Sequence, residues 1–368
     1  MLHRARRGCI LALLRCTHGR DQRAQRFRQI AAWQALLERH GRVSRAHVMA
    51  PAIAAAADGV PVAPATARWW AAGAERQLRH HEHGAELLVR DPGGTGSSGD
   101  AALRAPRPGE LFRNPGLAEV LASFGGDGAE PFYHGWIAER IVDALDHEGG
   151  VMTRRDLAEH HSEPVVPLSV AFAGHFVWEC PPNGHGLAAL IALGIYQRTG
   201  AVSPAERIHA QVEAMRLAFA DTSRYLSDPA WMPYPAETFL TDEYLSRRAA
   251  LVDPGGRLES VASGAPTRGG TDTVYFAVRD TEGNGCSFIN SNYMGFGTGI
   301  VPRGCGFSLQ NRGCGFVLEP GHPNAAGPRK RPYHTIIPGL ITAGPADSPR
   351  LHSVFGVMGG MMQPQGHL

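Results

Sequence analysis

A layered α+β fold, with helices outside an antiparallel sheet core, is the architecture this sequence predicts, and three observations carry the prediction. Apolar residues recur at helical spacing through the first half of the chain. A period-two pattern opens at Val165. From Thr271 onward strands and glycines replace almost every helical signal.

In chain order, residues 1–28 come first, with eight arginines against the single acid Asp21, and read as a basic, disordered or solvated arm. Arg4, Arg6 and Arg7 precede the apolar run Ile10 to Leu14, but the run is too short for a signal peptide and Arg15 interrupts it. The expected compartment is therefore the cytoplasm, with the periplasm as alternative. Ile30, Trp33, Leu36 and Leu37 then mark a helix stopped by Gly41. Residues 90–109 (DPGGTGSSGDAALRAPRPG from Asp91) lack periodicity and read as a surface loop. Ile137, Ile141, Ala144 and Leu145 form the face of a second helix, after which Thr153 and Asp156 form the cap of a third.

VVPLSVAF, the turn Ala173-Gly174 and HFVWEC read as a hairpin, and CPPNGHG leads into an apolar helix over Leu187 to Tyr196. Ser203-Pro204-Ala205-Glu206 is a capping box, and Ile208, Val212, Met215 and Phe219 are taken as the buried stripe of the helix it opens. TVYFAV and CSFINSN are strands joined by the turn residues Asp280 to Gly285.

The chain has 368 residues, 43% of them apolar, enough for one large domain or two ordinary ones. Basic and acidic residues balance at 36 against 34, so nothing calls for nucleic acid or an anionic membrane, and no stretch approaches the roughly 20 apolar residues that span a bilayer. The expected partner is a small molecule. Six cysteines without CxxC spacing read as reduced, mostly buried thiols.

The chemistry concentrates at Gly269-Gly270-Thr271-Asp272-Thr273, where a hydroxyl residue follows a glycine-rich approach at the start of a strand. A strained peptide beside a hydroxyl is what an N-to-O acyl shift requires, and cleavage before Thr273 would free an α-amine to act as its base. Threonine also simply favours strands, so the position alone is ambiguous.

TVYFAVRDTEGN, SNYMGFGTGIV, GFSLQNRGCGF, KRPYHTIIPG and FGVMGG, in this order, resemble the small subunit of the γ-glutamyltranspeptidase family; WQALLERHGRVSRAHVMAPAI, ECPPNGHG and AFADTSRYLSDP resemble its large subunit. The resemblance implies a four-layer αββα N-terminal nucleophile hydrolase, made as a self-cleaving proenzyme whose large and small subunits stay together. Residues 29–272 would form the large subunit and 273–368 the small one. It places the nucleophile on Thr273, the hydroxyl that orients it on Ser291, and the oxyanion glycines on Gly359 and Gly360. Tyr293, Asn311, Arg331, His334 and Thr335 fall on the substrate side. No cofactor and no metal is implied.

Two departures bear on substrate. Where γ-glutamyl enzymes carry an acid pair for the α-ammonium this chain has Cys314-Gly315, and where they carry two serines it has His334 and Thr335. The family resemblance implies a glutathione-like amide, but a buried ammonium without a carboxylate is costly, which points instead to a small acid amide such as oxamate, with Arg331 or His334 holding the acid. The family's N-terminal strands and substrate arginine do not appear before Gln29, and the sequence stops soon after Gly360, which raises the alternative of a truncated, non-catalytic remnant. His80, His81 and His83 in RHHEH lack HExxH spacing, and GFGTG (295–299) lacks the lysine of a phosphate loop.

Overall fold

The structure, a computed structural model, describes residues 28–91, 103–259, 261, 272–345 and 349–368. The expected basic arm (apart from Arg28), the centre of the 90–109 loop and the Gly269-Gly270-Thr271 approach lie outside the described residues. By compactness the chain forms two units. Unit 1 takes the described residues up to Glu163 with Met294–Cys314 and Gly327–Lys330; unit 2 takes those of Pro164–Tyr293, Gly315–Ala326 and Arg331–Leu368.

Unit 1 contains α1 (Arg28–His40), α2 (Arg45–Asp58), β1 (Val60–Pro61), α3 (Pro64–Arg76), β2 (Val89–Arg90), β3 (Leu103–Arg104), β4 (Leu111–Phe112), α4 (Pro115–Asp127), α5 (Glu130–Tyr133), α6 (Trp136–His147) and α7 (Arg154–Ala158). The stripe Ile137, Ile141 and Leu145 of α6 is buried against Val120 and Phe124 of α4 and against Ile300, Cys305 and Leu309. Thr153 and Asp156 form the predicted capping box. The flanks of the 90–109 loop are not structureless: β2 pairs with β3, and Arg104 donates to Glu110 at 2.7 Å, which holds that carboxyl down at about 2. Asn114 has two tasks, accepting from the Leu117 N–H at the start of α4 and donating to the Gly306 carbonyl at 2.7 Å.

Unit 2 contains β5 (Leu168–Phe172), β6 (His175–Glu179), α8 (Gly186–Tyr196), α9 (Pro204–Tyr225), α10 (Asp242–Ala249), β7 (Asp272–Arg279), β8 (Gly285–Tyr293), β9 (Gly339–Ala343), β10 (Arg350–Phe355) and α11 (Gln363–His367). Ala173 and Gly174 both have positive φ, the conformation a two-residue hairpin turn needs, so β5 and β6 pair directly. An antiparallel sheet runs in the order β10-β9-β6-β5. Leu168, Val170, Val177 and Ile341 turn one face of it to α8 and α9. The other face, through Leu351 and Val354, lies against Gly285 of the β7–β8 hairpin. Helices, sheet and second sheet layer thus stack in sequence, with Tyr275 against Gly356 closing the second interface.

The capping box of α9 is present, and of the predicted stripe Met215 is buried and Phe219 packs against the core, but the first half of that stripe is not the buried face. Ile208 and Val212 are 64% and 53% exposed, whereas Ala210, Ala214, Leu217 and Ala218 face the core. Alanines let α9 approach the small-residue surface of α8 closely, and that packing outweighs the side-chain hydrophobicity on the other face. Of the described cysteines only Cys305 is buried, and Cys286 is exposed, so the expectation of mostly buried thiols fails in part. The outer face of the hairpin also exposes Val274, Phe276 and Val278.

A buried ion pair anchors the segment leading to β9. Asp228 accepts from Arg331 Nε at 2.8 Å, from its second guanidinium nitrogen at 3.0 Å and from its backbone N–H at 2.9 Å. Burial pushes the Asp228 carboxyl up, but these donors outweigh it and hold the group below its usual range.

Two stability outcomes follow. Asn114→Ala should cost about 2–3 kcal/mol, because a helix cap and a buried hydrogen bond are lost together, read as a lowered denaturant midpoint. Asp228→Asn should cost about 3 kcal/mol at neutral pH by removing the buried negative charge opposite Arg331. Because the folded carboxyl is depressed, the wild type keeps this stabilisation above the unfolded value near 3.9 and loses it as pH falls through the folded one. Melting temperature against pH should therefore fall more steeply below about pH 4 in the wild type than in the variant.

Candidate active site

The site is built on the first turn of ladder between β7 and β8. Thr273 pairs with Ser291, and the register shifts between Asp272 and Thr273, so that Asp272 faces Tyr293 and Asn292 is the extra residue. A bulge at this point re-aims side chains beside it, a frequent device next to functional positions. Thr273 Oγ1 donates to Ser291 Oγ at 3.1 Å, and Ser291 Oγ also accepts from the Tyr293 N–H at 2.9 Å. Thr273 is 8% exposed. The Thr273 hydroxyl is thus held in one direction by a neighbour that is itself oriented from the backbone.

Tyr293 has φ +76°, a left-handed conformation that is unfavourable for a bulky side chain. Its side chain is buried. Tyr275, two residues after Thr273 on the same face of β7, fills the space over Gly356, where any side chain would meet its ring. Gly359 and Gly360 follow three and four residues later. Gly359 and Gly360 have φ +159° and +56°, backbone conformations that favour glycine.

His334 and Thr335 lie beside the CPPNGHG segment. The His334 N–H donates to the Asn183 carbonyl, the His185 N–H donates back to the His334 carbonyl, and the His334 ring sits over Gly184. His334 Nδ1 accepts from the Ile336 N–H at 3.3 Å, and Thr335 is buried. His185 Nδ1 shares a 2.6 Å hydrogen bond with the Tyr333 hydroxyl, whose titration is pushed up by burial and further by Tyr293. Arg331 directs its guanidinium to Asp228. Asn311 belongs to unit 1, where its Oδ1 accepts from the Met294 N–H at 3.2 Å.

Position 315 is informative for substrate. A Cβ there would stand 2.1 Å from the Tyr333 carbonyl oxygen, and the Gly315 carbonyl accepts from Asn324 Nδ2. No acid can occupy 315 in this backbone. Asp228 and His185 were not singled out in the sequence, although both lie within segments that carry the family resemblance. Their signals were a capping-type Asp before proline and a histidine at a helix entry.

Among the described residues no group of histidine, cysteine and acidic side chains is arranged to hold a metal ion, and no helix is long and apolar enough to cross a membrane. In the RHHEH segment His81 Nδ1 instead pairs with Glu148 at 2.7 Å.

Comparison with known proteins bears on the family and the fold. The gamma-glutamyltranspeptidase family profile matches residues 29–368. The chain is 35% identical over 340 residues to the glutathione hydrolase-like YwrD proenzyme of Bacillus subtilis, covering 91% of this chain and 61% of that protein. It is also 35% identical over 325 residues to the oxamate amidohydrolase proenzyme of Klebsiella pneumoniae, covering 87% and 57%. Among solved structures, cephalosporin acylase from Bacillus halodurans superposes with a TM-score of 0.78 at 40% identity, over 92% of this chain and 60% of the other. The chain therefore spans about three fifths of the length of these relatives. With that match, the fold is of the N-terminal nucleophile hydrolase type, and the chain belongs to the gamma-glutamyltranspeptidase family.

Proposed function

We propose that this chain is a proenzyme that cleaves itself before Thr273 and then hydrolyses or transfers the acyl group of a small acid amide. The observation that carries the reading is the hydrogen bond from Thr273 Oγ1 to Ser291 Oγ at the bulged start of the hairpin. In maturation, Thr273 Oγ attacks the Asp272 carbonyl carbon, the peptide nitrogen leaves as the Thr273 α-amine, and water cleaves the resulting ester. In turnover, that amine takes the hydroxyl proton while Oγ attacks the substrate amide. The leaving amine departs with the proton, and water or an amine removes the acyl group from Oγ. The Gly359 and Gly360 N–H groups face the developing alkoxide, and Ser291 orients the nucleophile.

The substrate side favours a small acid amide over a γ-glutamyl amide. Gly315 leaves no room for an acid to hold an α-ammonium, and Arg331 is balanced by Asp228. That leaves His334 and Thr335, with Tyr293, as the groups that would meet the acyl portion. The oxamate amidohydrolase and acylase relatives are consistent with such a substrate, whereas the glutathione hydrolase-like relative keeps the γ-glutamyl class in the comparison.

Thr273→Ala should leave the chain whole on intact-mass measurement. Ser291→Ala should slow maturation and turnover by about tenfold to a hundredfold through loss of one hydrogen bond to the nucleophile, and Ser291→Thr should restore most of it. In a substrate panel, oxamate should be hydrolysed with a higher kcat/KM than a γ-glutamyl anilide. The reverse order would remove the small-acid assignment while leaving the nucleophile in place. A wild-type chain that is folded and never cleaves would instead favour a non-catalytic remnant.

A further inference from the structure

Glu179 and His367 lie 188 residues apart, are both fully buried, and share a 2.5 Å hydrogen bond through Glu179 Oε1 and His367 Nδ1. A charged residue at the inward phase of β6, two residues after Val177, is costly unless it has a partner there. Burial pushes the Glu179 carboxyl up, and the bond to His367 opposes that shift.

The pair joins the chain segment that carries the glycine pair to the sheet. Glu179 lies opposite Gly339, and Gly339 lies opposite Phe355, in neighbouring strands. The Phe355 ring covers Gly339 and meets the His367 ring edge-on with centroids 4.7 Å apart. Gly366 packs against Val357. The chain from Phe355 to His367 is therefore a loop whose two ends touch, and Gly359-Gly360 sits inside it. Gln363, one helical turn before His367, is also fully buried.

We propose that Glu179 and His367 are a positioning pair, which fixes the Gly359-Gly360 backbone by locking α11 to β6. The inference rests on the reading of those glycines as the oxyanion holders. Neither side chain touches substrate. The pair acts through the loop geometry, and displacement of N–H donors by about an ångström is enough to lose roughly a hundredfold in rate.

The test uses the full chain with Glu179→Gln, Glu179→Ala and His367→Ala, read in two ways. Amide hydrogen exchange of the peptide spanning 356–362 should quicken by at least about tenfold in the two alanine variants while β5 and β6 keep wild-type protection. It should return close to wild type in Glu179→Gln, which keeps the shape and a hydrogen bond. In matured protein, the alanine variants should lose kcat by roughly a hundredfold with KM within about twofold, and Glu179→Gln should retain most of it. Unchanged exchange at 356–362, or exchange that quickens equally throughout unit 2, overturns the proposal whatever the activity. A wild type that never cleaves removes the oxyanion assignment and is seen separately, by mass. An alanine variant that does not fold leaves the decision to His367→Gln, which must then show the local exchange change without a global one, while Glu179→Gln keeps wild-type exchange.

Discussion

The register of the β7–β8 ladder is the constraint on which the rest of the site depends. Side chains alternate along a strand, so a slip of one residue would turn Thr273 to the face now occupied by Val274 and remove it from Ser291. Several independent contacts hold the register. Gly285 fits under Leu351 and Val354, the Ser287 hydroxyl donates to the Phe355 carbonyl, and Tyr275 covers Gly356. Each links the hairpin to β10 or to the segment leaving it. The same contacts bring the segment carrying Gly359 and Gly360 beside the strand that carries Thr273.

A second layer of support lies behind this one. The β5–β6–β9–β10 sheet is backed by α8, whose residues from Gly186 to Ile195 are all buried, so the platform under the hairpin rests on a continuous packed core. Asp228 fixes Arg331 at one end of the segment that carries His334 and Thr335, and the Asn183 and His185 backbone contacts fix its middle. Charge is used structurally here: the cation that looks suited to a substrate acid is already neutralised by a buried carboxylate.

Local features were legible in the sequence and non-local ones were not. The capping boxes at Thr153 and Ser203, the Ala173-Gly174 turn and the Asp280 turn appear where expected, because each is decided by residues within four positions of one another. The stripe on α9 was half right: Met215 and Phe219 face the core, but Ile208 and Val212 do not, because exposure depends on the neighbour and alanines face α8 there. Thr273 was marked locally by the glycine-rich approach before it, whereas the roles placed on Ser291, Gly359 and Gly360 came from resemblance, since no spacing rule connects residues so far apart. The Asp228–Arg331 and Glu179–His367 pairs bridge 103 and 188 positions and needed the folded chain. The buried Glu179 did leave a trace, as an acid in the same phase as Val177 of its strand.

The central claim is that Thr273 becomes a new N-terminus, and N-terminal sequencing of the purified protein tests it most directly. The account predicts a fragment whose sequence starts Thr-Val-Tyr-Phe, in equal amount with a fragment that ends at Asp272. A folded chain with a single N-terminus, or one cut at any other peptide bond, would contradict it.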